Sequence, residues 1–180
     1  MKRTLICTCL LFAATALLAQ QKAPPLSPPA TATGTIGGKT ITITYSSPRV
    51  RGRAGQIFTK NGLISHDPHY PVWRAGANAA TTLHTDANLT IGDLSVPAGT
   101  CTLFVDISDP AHWVLIVSKA TGEWGLAYDP SKDLGKTPMT TTAVPLLEDL
   151  TYTIKDNGGG KGTLTLAWEN VSASVPIQVH

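Results

Sequence analysis

From about residue 30 onward, apolar and polar residues alternate with a period of two, and turn residues break the alternation at short intervals. This is the pattern of strands with one covered face. In TATGTIGGKTITITYS, residues 31–46, Ile41, Ile43 and Tyr45 fall on one side and Thr40, Thr42 and Thr44 on the other. Gly37-Gly38 suits the positive φ angles of a two-residue hairpin turn. TCTLFVDI and HWVLIVSK predict a second hairpin across Ser108-Asp109-Pro110-Ala111, with Cys101, Leu103, Val105 and Ile107 pointing inward. HWVLIVSK is apolar on both faces, as expected of a central strand covered by another layer.

Further short strands are predicted at TTLHT, LTIG, GLAYD, MTTTAV, LTYTIK, TLTLAW and SVPIQV, with DNGGGKG as a flexible connection. No stretch carries a helical period, and threonine and the other β-branched residues favour strands. Roughly ten short strands in a chain of this length predict an all-β domain, a jelly-roll-like sandwich of two antiparallel sheets, with an open barrel as the alternative. Pro176 places the last strand at an edge or a bulge. The longest stretch without strand signal runs from Ala54 to Ala79. Loops of that length in compact domains are commonly functional or disordered, so a site is expected there.

The N-terminus changes the picture of composition. Met1-Lys2-Arg3 followed by TLICTCLLFAATALLA reads as a secretory signal peptide over residues 1–19, and QQKAPPLSPPA, residues 20–30, as a proline-rich flexible spacer before a domain at 31–180. The expected destination is the periplasm or the outside of the cell. The apolar run is too short to cross a bilayer, and no transmembrane segment is predicted after it. The whole chain has 14 basic and 12 acidic residues, so without Lys2 and Arg3 the two counts are equal. A neutral domain without a basic stripe is a poor nucleic-acid partner. Cys7 and Cys9 leave with the leader, and Cys101 then has no disulfide partner and reads as a small core residue.

Motif chemistry is sparse. Gly-x-Ser-x-Gly, His-Glu-x-x-His and Ser-x-x-Lys do not occur, and both Gly-Lys-Thr triplets lack the first glycine of a phosphate loop. No cofactor and no catalytic residue is therefore assigned. His66, Asp67 and His69, with His84 and Asp86, contain nitrogen and oxygen donors for a metal, but Asp-Pro is a common turn starter and the solvated-loop reading is preferred. Trp113, Trp124 and Trp168 are expected in the core, whereas Trp73 beside Arg74 is open to either role.

In SSPRVRGR, Arg49, Arg51 and Arg53 recur at every second position. The plainer reading is an exposed strand extension whose cations discourage edge-to-edge association. A sharper one has Arg49, Arg51, Arg53, Trp73, Arg74 and Asn78 converging on a ligand, because guanidinium forks suit carboxylate, sulfate or phosphate. Internal ion pairs are the third. On this reading the chain is a binding module for a small anion or a saccharide, with a loop-metal hydrolase and an envelope-protein partner as alternatives.

The residues also resemble a family. Tyr45-Ser46-Ser47-Pro48 with Gly52-Arg53, then Trp73-Arg74-Ala75-Gly76-Ala77-Asn78 with Ala80-Thr81, then Pro97-Ala98-Gly99-Thr100 with Leu103-Phe104, and Trp113, Lys119 and Trp124-Gly125 together resemble the bacterial secreted domain of unknown function DUF2911. The resemblance runs from about Thr31 to His180. It implies an exported β-rich domain and supplies no catalytic residues to carry across. Two departures stand out: Ala79 where the family has glutamate, and Cys101 where it has tyrosine.

Overall fold

The structure, a computed structural model, describes residues 24–180. The predicted leader, and the spacer up to residue 23, lie outside the described residues. Among the described residues eleven strands follow in chain order: β1 Pro29–Ile36, β2 Lys39–Ser46, β3 Val72–Trp73, β4 Thr81–Thr85, β5 Leu89–Ile91, β6 Leu94–Val96, β7 Gly99–Asp106, β8 Val114–Ser118, β9 Asp133–Pro138, β10 Thr140–Gly158 and β11 Lys161–Val179. All pairings are antiparallel. One sheet has the order β1-β2-β4-β7-β8-β9, with β3 also paired to β7, and the other runs β10-β11-β5-β6. The two open sheets make a β-sandwich, and neither closes into a barrel.

The first predicted hairpin forms with Ile36 opposite Lys39, and Gly37 and Gly38 take φ of 56° and 79°. These angles give a two-residue turn a twist that matches its strands, and only glycine adopts both without steric cost. Ile41, Ile43 and Tyr45 are buried as the alternation required. β7 and β8 pair with Leu103 opposite Val117 and Phe104 opposite Ile116. Leu103, Val105, Leu115 and Val117 belong to the main core, while Phe104 and Ile116 form a second, small core with Ala80 on the other face.

That second face is covered by strand β3 and by irregular chain. Val72 and Tyr128 pack over it, with the Tyr128 and Phe104 rings 4.8 Å apart. GLAYD is therefore a turn and capping loop, and its alternation arises because Tyr128 must reach inward. The four predicted strands MTTTAV, LTYTIK, TLTLAW and SVPIQV are two strands of 19 residues each, β10 and β11. The polar and proline interruptions between them do not end the strands but are absorbed as register shifts between Ala143, Leu147 and Thr151. Pro176 lies beyond the last pairing of β11 with β10 and before its pairing with β5, where its carbonyl accepts from the Gly92 N–H at 2.8 Å. A missing N–H is tolerated at such a change of partner.

The stretch between β2 and β4 is long and mostly irregular, as expected, but it is packed. Val50, Ile57, Ile64, Trp73 and Ala75 enter the main core. Phe58 stands 4.8 Å from Trp113 and 5.7 Å from both Trp73 and Trp168, so loop and sheet share one aromatic cluster. Trp124, expected in the core, is 58% exposed. The spacer also ends earlier than its composition suggested: Pro29 and Ala30 are in β1, and the Pro28 carbonyl accepts from the Ser47 N–H at 2.8 Å. Small and proline-rich side chains do not pack, but their backbone carbonyls still bond.

Candidate functional site

A cleft of about 500 Å3 opens beside the tryptophan cluster. Its walls come from the turn after β2, the 3-10 turn Ile64–His66, the run following β3, the Trp124 and Leu126 segment, and Leu26 and Ser27 ahead of β1. Arg49, Arg51, Arg53, Trp73, Arg74 and Asn78, the residues singled out in the sequence, all line it. Trp73 and Trp168 contribute buried walls, stacked with centroids 5.9 Å apart and an interplanar angle of 23°. Each indole is tied to a carbonyl, Trp73 Nε1 donating to Gly76 at 3.1 Å and Trp168 Nε1 to Glu148 at 3.3 Å.

SSPRVRGR is not a straight strand extension. Leu150 N–H donates to the Pro48 carbonyl and Val50 N–H to the Glu148 carbonyl, laying the segment along β10 with a single bridge between Arg49 and Asp149. Arg51 at φ 51° and Gly52 at φ 72° then turn the chain. Arg53 folds back, its Nε donating to the Val50 carbonyl at 2.9 Å and its Nη2 to the Arg49 carbonyl at 2.7 Å.

The four arginines divide by partner. Arg49 Nε meets Asp149 Oδ1 at 2.7 Å, and Arg74 Nη2 meets Asp67 Oδ2 at 3.3 Å while its Nη1 donates to the Asn78 carbonyl at 3.2 Å. Their charges are matched by carboxylates. Arg51 Nη2 donates to the Leu26 carbonyl at 3.3 Å, and Arg53 has its two loop carbonyls. Neither guanidinium has a carboxylate partner among the described residues. Carbonyl oxygens orient a fork without cancelling its charge, which leaves its other N–H groups for an anion.

The histidine stretch is used differently. Asp67, with a side chain 5% exposed, accepts from the His69 N–H at 3.1 Å as well as from Arg74. His69 Nε2 lies 2.9 Å from the Leu126 carbonyl and, since a carbonyl only accepts, carries the proton. His66 is exposed on the cleft wall. His84, on β4, faces Thr100 and Asp86, outside the cleft lining. No three His, Cys, Asp or Glu side chains come together as a metal-binding group among the described residues. Cys101 is buried, and burial pushes its thiol up to about 12.

The family model for the protein of unknown function DUF2911 matches residues 27–177. The chain belongs to the DUF2911 family. No significant match arises among curated proteins or among solved structures. The match to DUF2911 takes in every residue lining the cleft except Leu26. It begins a little before Thr31 and includes Ser27, whose carbonyl lies 3.4 Å from Asn78 Nδ2.

Three features of this DUF2911 cleft had no signal in the sequence. Trp124 and Leu26 line it as exposed residues, although one was expected in the core and the other in a spacer. Glu169, next to Trp168, is buried at a register shift of β11, and its carboxylate accepts from the Gly55 N–H. The backbone is also unusual there. Among the described residues, the non-glycine residues with positive φ are Arg51 (51°), Ala75 (51°), Asn78 (59°) and Glu169 (55°). Arg51 and Asn78 line the cleft and the other two adjoin lining residues. Such conformations cost roughly 1–3 kcal/mol each and tend to gather at functional sites.

Proposed function

We propose that this DUF2911 chain is an exported binding module, periplasmic or extracellular, whose cleft holds a small anion between Arg51 and Arg53. The observation that carries this reading is the pair of guanidinium groups held in a concave site by carbonyl oxygens and, among the described residues, ion-paired with no carboxylate, the nearby Glu148 carboxylate being taken by the Arg51 backbone N–H at 2.9 Å. The strained backbone at Arg51 supports it, since a turn that costs free energy fixes the direction of one fork. No catalytic group is part of the reading.

Calorimetry and thermal shift with sulfate, phosphate and acetate test it. Saturating anion at about 100 times its dissociation constant adds about 2.7 kcal/mol of stability, a shift of a few degrees. Arg53→Ala is expected to remove the shift and to lower the unliganded melting temperature modestly, through the lost bonds to the Val50 and Arg49 carbonyls. Arg74→Ala, by contrast, leaves the buried Asp67 carboxylate without its ion pair and is expected to lower stability directly. Retained anion binding in both Arg51→Ala and Arg53→Ala would refute the site.

A further inference from the structure

The cleft concentrates apolar surface as well as charge. Among the described residues the exposed large hydrophobic side chains are Leu26 (69%), Leu63 (40%), Trp124 (58%), Leu146 (52%) and Leu147 (37%), and the first three line the cleft. Leu146 and Leu147 lie on β10, outside the cleft lining. Exposed apolar side chains that share one concave site with cationic groups suit a ligand that carries both kinds of surface.

The apolar residues are held where they are. Trp124 is fixed by its bridge to Ala79 and by the Gly125 N–H donating to the Asn78 carbonyl at 3.2 Å. A Cβ on Gly125 would sit 2.4 Å from Arg74 Cδ and 2.6 Å from the Asn78 carbonyl, so this segment lies against the Arg74 wall only because residue 125 is glycine. The Leu26 backbone accepts a hydrogen bond from Arg51 at its carbonyl, so one of the two forks without a carboxylate partner among the described residues holds the backbone of an apolar residue beside itself. Charge and apolar surface are parts of one construction.

We infer that the ligand of this cleft is an amphiphilic anion, with its head on Arg51 and Arg53 and a hydrocarbon body against Trp124, Leu26 and Leu63. The inference rests on the anion-binding reading and narrows it. A saccharide carries hydroxyls around its ring, and each one buried against Leu26 or Leu63 would lose its water without gaining a partner. A hydrocarbon body has no such groups. Burial of each methylene tightens binding, up to about fourfold when burial is complete.

The test is calorimetry of the chain with acetate, butanoate, hexanoate, octanoate and glucuronate at fixed ionic strength. The expected result is an affinity that rises two- to fourfold per methylene along the series, with octanoate well above glucuronate. Trp124→Ala is expected to weaken octanoate about tenfold and acetate much less, and Arg53→Ala to weaken the whole series. Leu146→Ala, which removes exposed apolar surface away from the cleft, is expected to change nothing. Equal affinity for acetate and octanoate, lost in Arg53→Ala, would overturn the amphiphile and leave the anion site standing. Glucuronate binding more tightly than octanoate would make it a saccharide site. Failure of every carboxylate, sulfate and phosphate to bind would overturn both readings.

Discussion

The irregular segment from Ser47 to Ala80 and the first half of β10, Thr140 to Asp149, reverse the usual relation between regularity and burial. The first has almost no ladder hydrogen bonds, yet Val50, Ile57, Ile64, Trp73 and Ala75 sit in the main core. The second is strand throughout, yet none of its ten residues is buried, and Leu146 and Leu147 face solvent. Ladder bonds record where backbone groups find partners, and burial records where apolar surface leaves water. Only the latter correlates with large stabilisation, because hydrogen bonds to the chain largely replace hydrogen bonds to water. The cleft belongs to the buried, irregular region, where side chains are held without a strand's alternation and can converge from several turns.

The largest expected effect tests that contrast directly. Trp73→Ala removes an indole stacked on Trp168 and packed edge-to-face with Phe58, and is expected to cost about 3–5 kcal/mol in urea unfolding. Leu146→Ser, in a regular strand but 52% exposed, is expected to fall within about 0.5 kcal/mol of the parent. Comparable losses would break the comparison and show that the β10 arm is packed against something further.

A smaller effect separates packing from strain within the irregular region. Arg51 holds a left-handed backbone at φ 51°, where a Cβ is costly and glycine is at ease. Arg51→Gly is therefore expected to be more stable than Arg51→Ala by about 1 kcal/mol, although both lose the same guanidinium. Anion affinity is expected to fall alike in both. If Arg51→Ala were as stable as Arg51→Gly, the turn would be relaxed and would not count as support for the site.

Those two regions also mark what could be read from the sequence. The two-sheet class, the Gly37-Gly38 turn and the β7–β8 pair follow from local rules, since alternation and turn chemistry act between neighbours in the chain. The convergence of Arg49, Arg51, Arg53, Trp73, Arg74 and Asn78 on one cleft was legible as a possibility, because the arginine spacing and the run after Trp73 fell at the margins of the long loop. Which arginines are neutralised was not legible. Arg49 meets Asp149 and Arg74 meets Asp67 through the tertiary fold, and the Arg51 fork depends on Leu26, a residue read as spacer. Trp124 misled for a related reason. Hydrophobicity predicts a preference for burial, and the Trp124–Leu126 segment satisfies its packing through Gly125 against Arg74 instead.

The smallest effect comes from β7, which is both regular and buried. Cys101 is 5% exposed there, and burial pushes its thiol from 9.0 up to about 12. A folded-state value raised above the unfolded one means that the contribution is fully present below about pH 9. It is lost as pH rises from there towards about 12. At about pH 9.5 the loss is expected to be just under 1 kcal/mol, and Cys101→Ala is expected to remove it. Tyr128 and Tyr152, whose hydroxyls burial also pushes up, would still lower stability above about pH 10. Cys101 should accordingly resist thiol reagents until urea opens the sandwich, whereas a Leu147→Cys thiol in the exposed arm should react at once. Equal labelling of the two would mean that β7 opens as readily as the arm, and that burial in this fold does not track resistance to opening.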